Sequence, residues 1–230
     1  MKRFWTEVAI DADRAVTLDG RPVRTPGRVP LALPTDALAA AVADEWRAVA
    51  ETIDPRAMPL TGLANAAIDR IAPDPATFAA GLAAYGESDL LYYRAQSPDA
   101  LIARQQAAWD PWLDWARARY DVHFETTAGI MHRAQPPATL ARLGEAVAAL
   151  DPFHLAGLSP VVTITGSLML ALALVERAGD PDTLWTAANI DEDFQAELWG
   201  EDALAAQALA NKRRDYDAAV AFLAALRPSG

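Results

Sequence analysis

From Thr35 onward the apolar residues of this chain recur at helical spacing, and before Thr35 they do not. That change of period restricts the chain to a short extended opening followed by amphipathic helices, because each period buries a different face. Thr35 or Asp36 can cap a first helix that places Leu38, Val42, Trp46 and Val49 on one side. A second stripe, Leu60, Leu63, Ala64, Ala67, Ile68 and Ile71, follows Ile53-Asp54-Pro55. Upstream, Trp5, Val8 and Ile10 stand among Thr6 and Glu7, and Val16-Thr17-Leu18 leads into Asp19-Gly20 and Arg21-Pro22-Val23. Asp-Gly between β-prone runs is a hairpin signal, since both central residues need positive φ. Pro22 cannot donate to a ladder, which puts its strand at a sheet edge or a bulge. Val29-Pro30-Leu31-Ala32-Leu33 is a further short extended run.

Ala72-Pro73-Asp74-Pro75 marks the expected domain boundary, giving a small α+β unit over 1–74 and a larger all-helical unit over 75–230. The fold class is α+β, mostly helical. Ser97-Pro98 opens a helix reaching Trp109, and Pro111 kinks it or starts another bearing Trp112 and Trp115. Residues 137–150 and 160–175 read as helices, with Gly179-Asp180-Pro181 stopping the latter and capping its successor. Asp191 is expected to cap the next helix, and the last one carries Leu204, Leu209, Tyr216, Val220 and Phe222. His123-Phe124-Glu125-Thr126-Thr127 is the one extended piece expected in this half.

With 31 acidic and 20 basic residues, the net charge of -11 disfavours partners with phosphate backbones or anionic lipid surfaces. The absence of cysteine removes disulfides, thiolate metal sites and cysteine catalysis. The most apolar stretch, 161–175, is shorter than the ~20 residues a bilayer requires and carries Thr163, Thr165 and Ser167. No apolar run of signal-peptide length follows Met1-Lys2-Arg3, so an intracellular protein without membrane insertion is expected. Catalytic motifs are scarce. His123, His132 and His154 stand alone, and with Lys2 and Lys212 as the only lysines a P-loop cannot form. Thr165-Gly166-Ser167 lies in an apolar helical run, where Ser167 reads as helix packing and not as a nucleophile. No cofactor and no metal site is expected.

The most unusual local feature is acidic. Asp180, Asp182, Asp191, Glu192, Asp193, Glu197, Glu201 and Asp202 occur with no Lys or Arg among them. A solvated face with capping carboxylates accounts for such a run, with Asp180 and Asp191 as caps. The interleaved Phe194 and Trp199 add a partner-docking reading, because large aromatics beside unpaired charge resemble interface anchors. A metal site is the weakest option, since hard cations need ligands converging from a bent loop. The seven tryptophans are mostly expected in the core.

Several segments, in order, resemble one family. They are Leu18-Asp19-Gly20-Arg21-Pro22-Val23-Arg24-Thr25-Pro26, Asp44-Glu45-Trp46, Met58-Pro59-Leu60-Thr61 with Ala66-Ala67-Ile68-Asp69, and Ser88-Asp89-Leu90-Leu91-Tyr92-Tyr93-Arg94. Trp109-Asp110-Pro111, Asp114-Trp115, Gly166-Ser167 and Asp191-Glu192-Asp193-Phe194-Gln195 with Glu197 and Trp199-Gly200 complete the series. Together they resemble the assembly chaperone for the α subunit of the F-type ATP synthase, called ATP synthase assembly factor 2 in mitochondria.

The resemblance implies a non-enzymatic chaperone that binds the unassembled α subunit, keeps it from aggregating and hands it to β. It implies a bacterial, cytoplasmic member, whose eukaryotic relatives work in the mitochondrial matrix. Partner-binding candidates are Asp191, Glu192, Phe194, Glu197 and Trp199, with Trp46 as a second site. A monomer is expected, because a chaperone must give way to another subunit. The rival reading is a helical hydrolase using Glu192, Glu197 and His154, which would require those groups to converge on one pocket.

Overall fold

The computed structural model describes residues 2–200 and 202–227. The chain forms two compact units. One comprises Met1–Pro75, Leu150–Gly157 and Asp217–Gly230; the other comprises Ala76–Ala149 and Leu158–Tyr216. The single cut expected between residues 74 and 75 therefore misses two late segments that belong with the N-terminal unit. Sequence separation hid them, because only tertiary packing returns a late helix to an early segment: Thr35 Oγ1 donates to Ala225 O at 2.6 Å.

In the first unit, strands β1 (Val8–Ile10), β2 (Val16–Leu18) and β3 (Arg21–Pro22) form an antiparallel sheet in that order. Asp19 and Gly20 adopt φ of 48° and 77°, the two left-handed residues a tight hairpin turn demands, and Pro22 lies on the edge strand. The Asp19 carboxylate also accepts from the Thr6 and Glu7 amides at 3.0 and 2.8 Å, and these backbone bonds hold its pKa below the ordinary value. Val29–Leu33 contributes isolated bridges, Arg24 to Pro30 and Ala15 to Ala32. Helix α1 (Asp36–Ala48) is capped by Thr35, whose Oγ1 accepts from Leu38 N at 3.1 Å. Its buried face is Leu38, Ala39, Val42, Ala43 and Trp46. Helix α2 (Pro59–Ala66) continues as a π-helical turn to Ile71, and the two together carry the second apolar stripe.

The second unit is built around α7 (Leu168–Val175), in which every residue from Leu168 to Leu174 is buried. Helices α3 (Pro75–Ala83), α4 (Asp99–Tyr120), α5 (Pro137–Ala148), α8 (Pro181–Ala188) and α9 (Ile190–Trp199) accompany it. Helix α6 (Pro152–Thr165) and helix α10 (Ala203–Ala225) each run from one unit's segments into the other's. Two short strands, β4 (Tyr93–Arg94) and β5 (Thr127–Ala128), pair in parallel, so the extended piece lies slightly later than expected.

Prolines and caps account for the differences in detail. Helix α4 runs unbroken through Pro111, and Pro98 occupies its cap position without a side-chain bond. The apolar run expected as one helix over 160–175 is two. Gly166 (φ 66°) breaks it, and Ser167 caps α7 by accepting from Leu170 N at 3.1 Å. Asp180 does cap α8, accepting from Asp182 N and Thr183 N at 3.1 Å each. Asp191 does not cap α9: Asn189 holds that position, and Asp191 lies in the first turn.

Candidate functional site

Helix α4 positions the acidic run. Its buried face, Gln105, Trp109, Leu113 and Ala116, spaced at about one turn, packs toward α7, α8 and α9. Trp109 Nε1 donates to Ala187 O at 2.7 Å, fixing the end of α8, and Gln105 Nε2 donates to Asp191 Oδ1 at 2.7 Å, fixing the start of α9. Beside Gln105 on α4, Arg104 grips both oxygens of Glu197, at 2.8 and 2.7 Å. The same guanidinium stacks on Phe194 at 5.1 Å from the ring centroid.

These contacts separate the expected docking residues by role. Asp191 is half-buried against Gln105, and Phe194 is buried beneath Arg104, so both hold α9 in place. The two Arg104 hydrogen bonds keep the Glu197 carboxyl below its ordinary pKa, and much of its charge is spent inside the pair. Desolvation, followed by repulsion from Glu197, raises the Asp193 carboxyl. Glu192 faces solvent, as does Trp199. Trp46 belongs elsewhere: it is 8% exposed and packs on Trp5 with ring centroids 5.4 Å apart. Its place is the core of the first unit, which removes it from any contact surface.

The corner where α9 turns into α10 exposes large apolar side chains. Leu198 is 57%, Trp199 79% and Leu204 82% exposed. Gly200 (φ 84°) makes the turn, and Asp202 starts α10 by accepting from Leu204 N and Ala205 N at 2.9 Å. Glu201 lies outside the described residues. Beyond the corner, Ala203, Ala205, Gln207, Ala208 and Ala210 all face solvent, so the first turns of α10 stand clear of the packed interior. Glu192 and Asp193, in the first turn of α9, and Asp202, at the start of α10, are exposed, and no Lys or Arg occurs between Ala178 and Asn211.

Sequence reasoning found Trp199 through its acidic neighbours but missed Leu198 and Leu204. Helical periodicity places Leu204 on the last helix with Leu209, Tyr216, Val220 and Phe222, and a period reports a face and not whether anything covers it. Isolated exposed hydrophobics are ordinary; three within seven residues form a patch of the kind found at interaction sites.

Two of the three groups named for hydrolysis already have partners. His154 Nδ1 sits 2.6 Å from Asp151 Oδ2, whose pKa the His154 bond lowers, and Glu197 is committed to Arg104. A cavity of about 450 Å³ between α4 and α8, lined by Ala107, Trp112, Asp182 and Thr186 among others, includes none of Glu192, Glu197 or His154. Ser167 is fully buried and donates to Asp89, which rules it out as an accessible nucleophile. Among the described residues, no group of three or more His, Asp or Glu could hold a metal ion, and no helix is long and apolar enough to cross a membrane.

Comparison with known proteins agrees over the whole length. Residues 2–117 match the family model of the ATP12 chaperone protein. The crystal structure of Atp12 from Paracoccus denitrificans is 44% identical, with a TM-score of 0.92 over 98% of this chain and 98% of that one. An aspartate-to-lysine mutant of the P. denitrificans Atp12p is likewise 44% identical, with a TM-score of 0.94 over the same shares. A candidate chaperone from Agrobacterium tumefaciens is 40% identical, with a TM-score of 0.92 over 98% of this chain and 86% of that one. The exposed apolar corner is thus set in a fold shared with these proteins, and the chain belongs to the ATP12 chaperone family.

Proposed function

We propose that this chaperone binds the unassembled α subunit of a bacterial F-type ATP synthase, keeps it from aggregating and yields it to the β subunit. It does so in the cytoplasm as a monomer and catalyses no reaction. The observation that carries this reading is the Leu198–Trp199–Leu204 corner, where large apolar side chains stand exposed in an acidic stretch of the chain. An orphan α subunit exposes surfaces destined for its β neighbours, and such surfaces aggregate when uncovered.

The corner supplies the apolar cover, while Glu192, Asp193 and Asp202 steer toward a basic client surface and disfavour acidic ones. Its modest size suits exchange. Specific stable complexes bury ~1,200–2,000 Å², and a smaller contact releases its client when the larger native interface competes. Family membership supports the chaperone role, and the resemblance of the sequence segments supports α as the client.

The test is purified α subunit mixed with this protein at low salt. Co-elution on size exclusion and suppressed light scattering from α are expected. Free passage of both proteins, with aggregation of α unchanged, would overturn the reading.

A further inference from the structure

Ile130 and Met131 are 93% and 77% exposed, side by side in the loop between β5 and α5. The backbone on both sides of this tip is fixed. Before it, Thr127 and Ala128 pair with Tyr93 and Arg94, and Gly129 N donates to Arg94 O at 2.8 Å. Gly129 holds φ of 90°, and a Cβ there would lie 3.1 Å from the Gln96 side chain.

After the tip, Tyr93 Oη lies 3.2 Å from His132 Nδ1. Gln135 then accepts from Glu125 N at 3.0 Å and donates to Glu125 O at 2.8 Å. The two apolar side chains are therefore presented by an ordered loop, which lowers the entropy cost of using them in binding.

The tip itself, Ile130 and Met131, carries no charge, and Arg133 beyond it pairs with Glu125 at 2.9 Å. The two leading side chains are apolar, unlike the carboxylates of the α9–α10 stretch. Both features flank the first turns of α4 within one compact unit. Gln96, which touches the tip's base, precedes α4 by three residues; Arg104, in its second turn, holds Glu197 next to Leu198. Between them Pro98 and Ala100 are exposed beside Ser97 and Asp99, and Leu101 is half-exposed.

Two side chains cover only a small part of the ~1,200 Å² that a specific complex buries, so the tip cannot serve as an independent interface. The geometry points to a two-point grip: Ile130 and Met131 form an apolar finger that enters an uncharged hollow on the same client held at the Trp199 corner. This inference rests on the proposed α-subunit client.

The chain has no cysteine, so Met131→Cys offers a single labelling site. The full-length protein carries an environment-sensitive dye there, and purified α subunit is the probe. On mixing, the dye emission should shift to the blue and become shielded from iodide. The double variant I130S/M131S should keep its melting temperature and weaken α binding about tenfold or more. An unchanged affinity with the dye still in water, while Trp199→Ala weakens binding, overturns the finger and leaves the proposed function standing. No binding of α by the unmodified protein removes both. A dimer in sedimentation, or flotation with phosphatidylcholine vesicles, that I130S/M131S abolishes would assign the tip to a second copy or to lipid and overturn the proposal.

Discussion

Asp89 and Ser167, 78 residues apart in the chain, meet inside the helical unit, where the Ser167 hydroxyl donates to Asp89 Oδ2 at 3.0 Å. Asp89 also accepts from Met169 N at 3.0 Å and from Leu91 N at 3.0 Å, so one buried carboxylate caps α7 and the short 3-10 turn at Leu90–Tyr92. Desolvation raises its pKa to about 6, against the opposing pull of these hydrogen bonds. Asp89→Ala leaves several buried donors unpaired and is expected to cost ~3 kcal/mol or more of stability in chemical denaturation.

The pH dependence of that site has a definite sign. The folded state holds the Asp89 proton more tightly than the unfolded chain, so stability from this group is full below pH ~4. It falls as pH rises to about 6 and is flat above. The roughly hundredfold difference in proton affinity corresponds to ~3 kcal/mol. The stability difference between the wild type and Asp89→Asn should shift by that order between pH 4 and 7, in favour of Asn at high pH. A difference independent of pH would show that Asp89 stays ionised throughout.

Neighbouring carboxylates on α9 should behave differently. Asp191→Lys removes the acceptor of Gln105 Nε2, a side chain only 2% exposed, and should destabilise by ~1–3 kcal/mol. Glu192 makes no hydrogen bond or ion pair among the described residues, so Glu192→Lys should change stability by less than ~1 kcal/mol. Its effect should appear in the association rate with α subunit and fade as salt rises. Thermal melts and stopped-flow binding at two ionic strengths separate the two.

The two tryptophans proposed for contact differ in the same way. Trp46→Ala opens a cavity against Trp5 and should cost ~3–5 kcal/mol. Trp199→Ala removes a solvent-facing ring, so the melting temperature should hold while α binding weakens. Loss of binding in a Trp46→Ala protein that still melts like the wild type would contradict the core assignment.

Glu45 explains why Asp44-Glu45-Trp46 and Met58-Pro59-Leu60-Thr61 occur together. Its carboxylate accepts from Leu60 N and Thr61 N at 2.7 Å each and from Thr61 Oγ1 at 2.6 Å, capping a helix whose own cap residue, Met58, makes no side-chain bond. Glu45→Ala should cost ~1–3 kcal/mol in denaturant titration, and Glu45→Gln less. Equal losses in both variants would show that the charge, not the acceptor geometry, holds the helix start.

What the residues determine alone is local. The Asp19-Gly20 turn, the Thr35 and Asp180 caps and the buried stripe of α1 follow from φ preferences, short-range hydrogen bonds and period, all set within a few residues. The family segments were legible for the same reason, as ordered local patterns. Tertiary structure decided everything that depends on what lies opposite. It buried Trp46 and Phe194, exposed Leu198 and Leu204, tied Glu197 to Arg104 across 93 residues and returned 150–157 and 217–230 to the first unit. Burial and pairing are properties of two surfaces at once, and a linear pattern specifies only one of them.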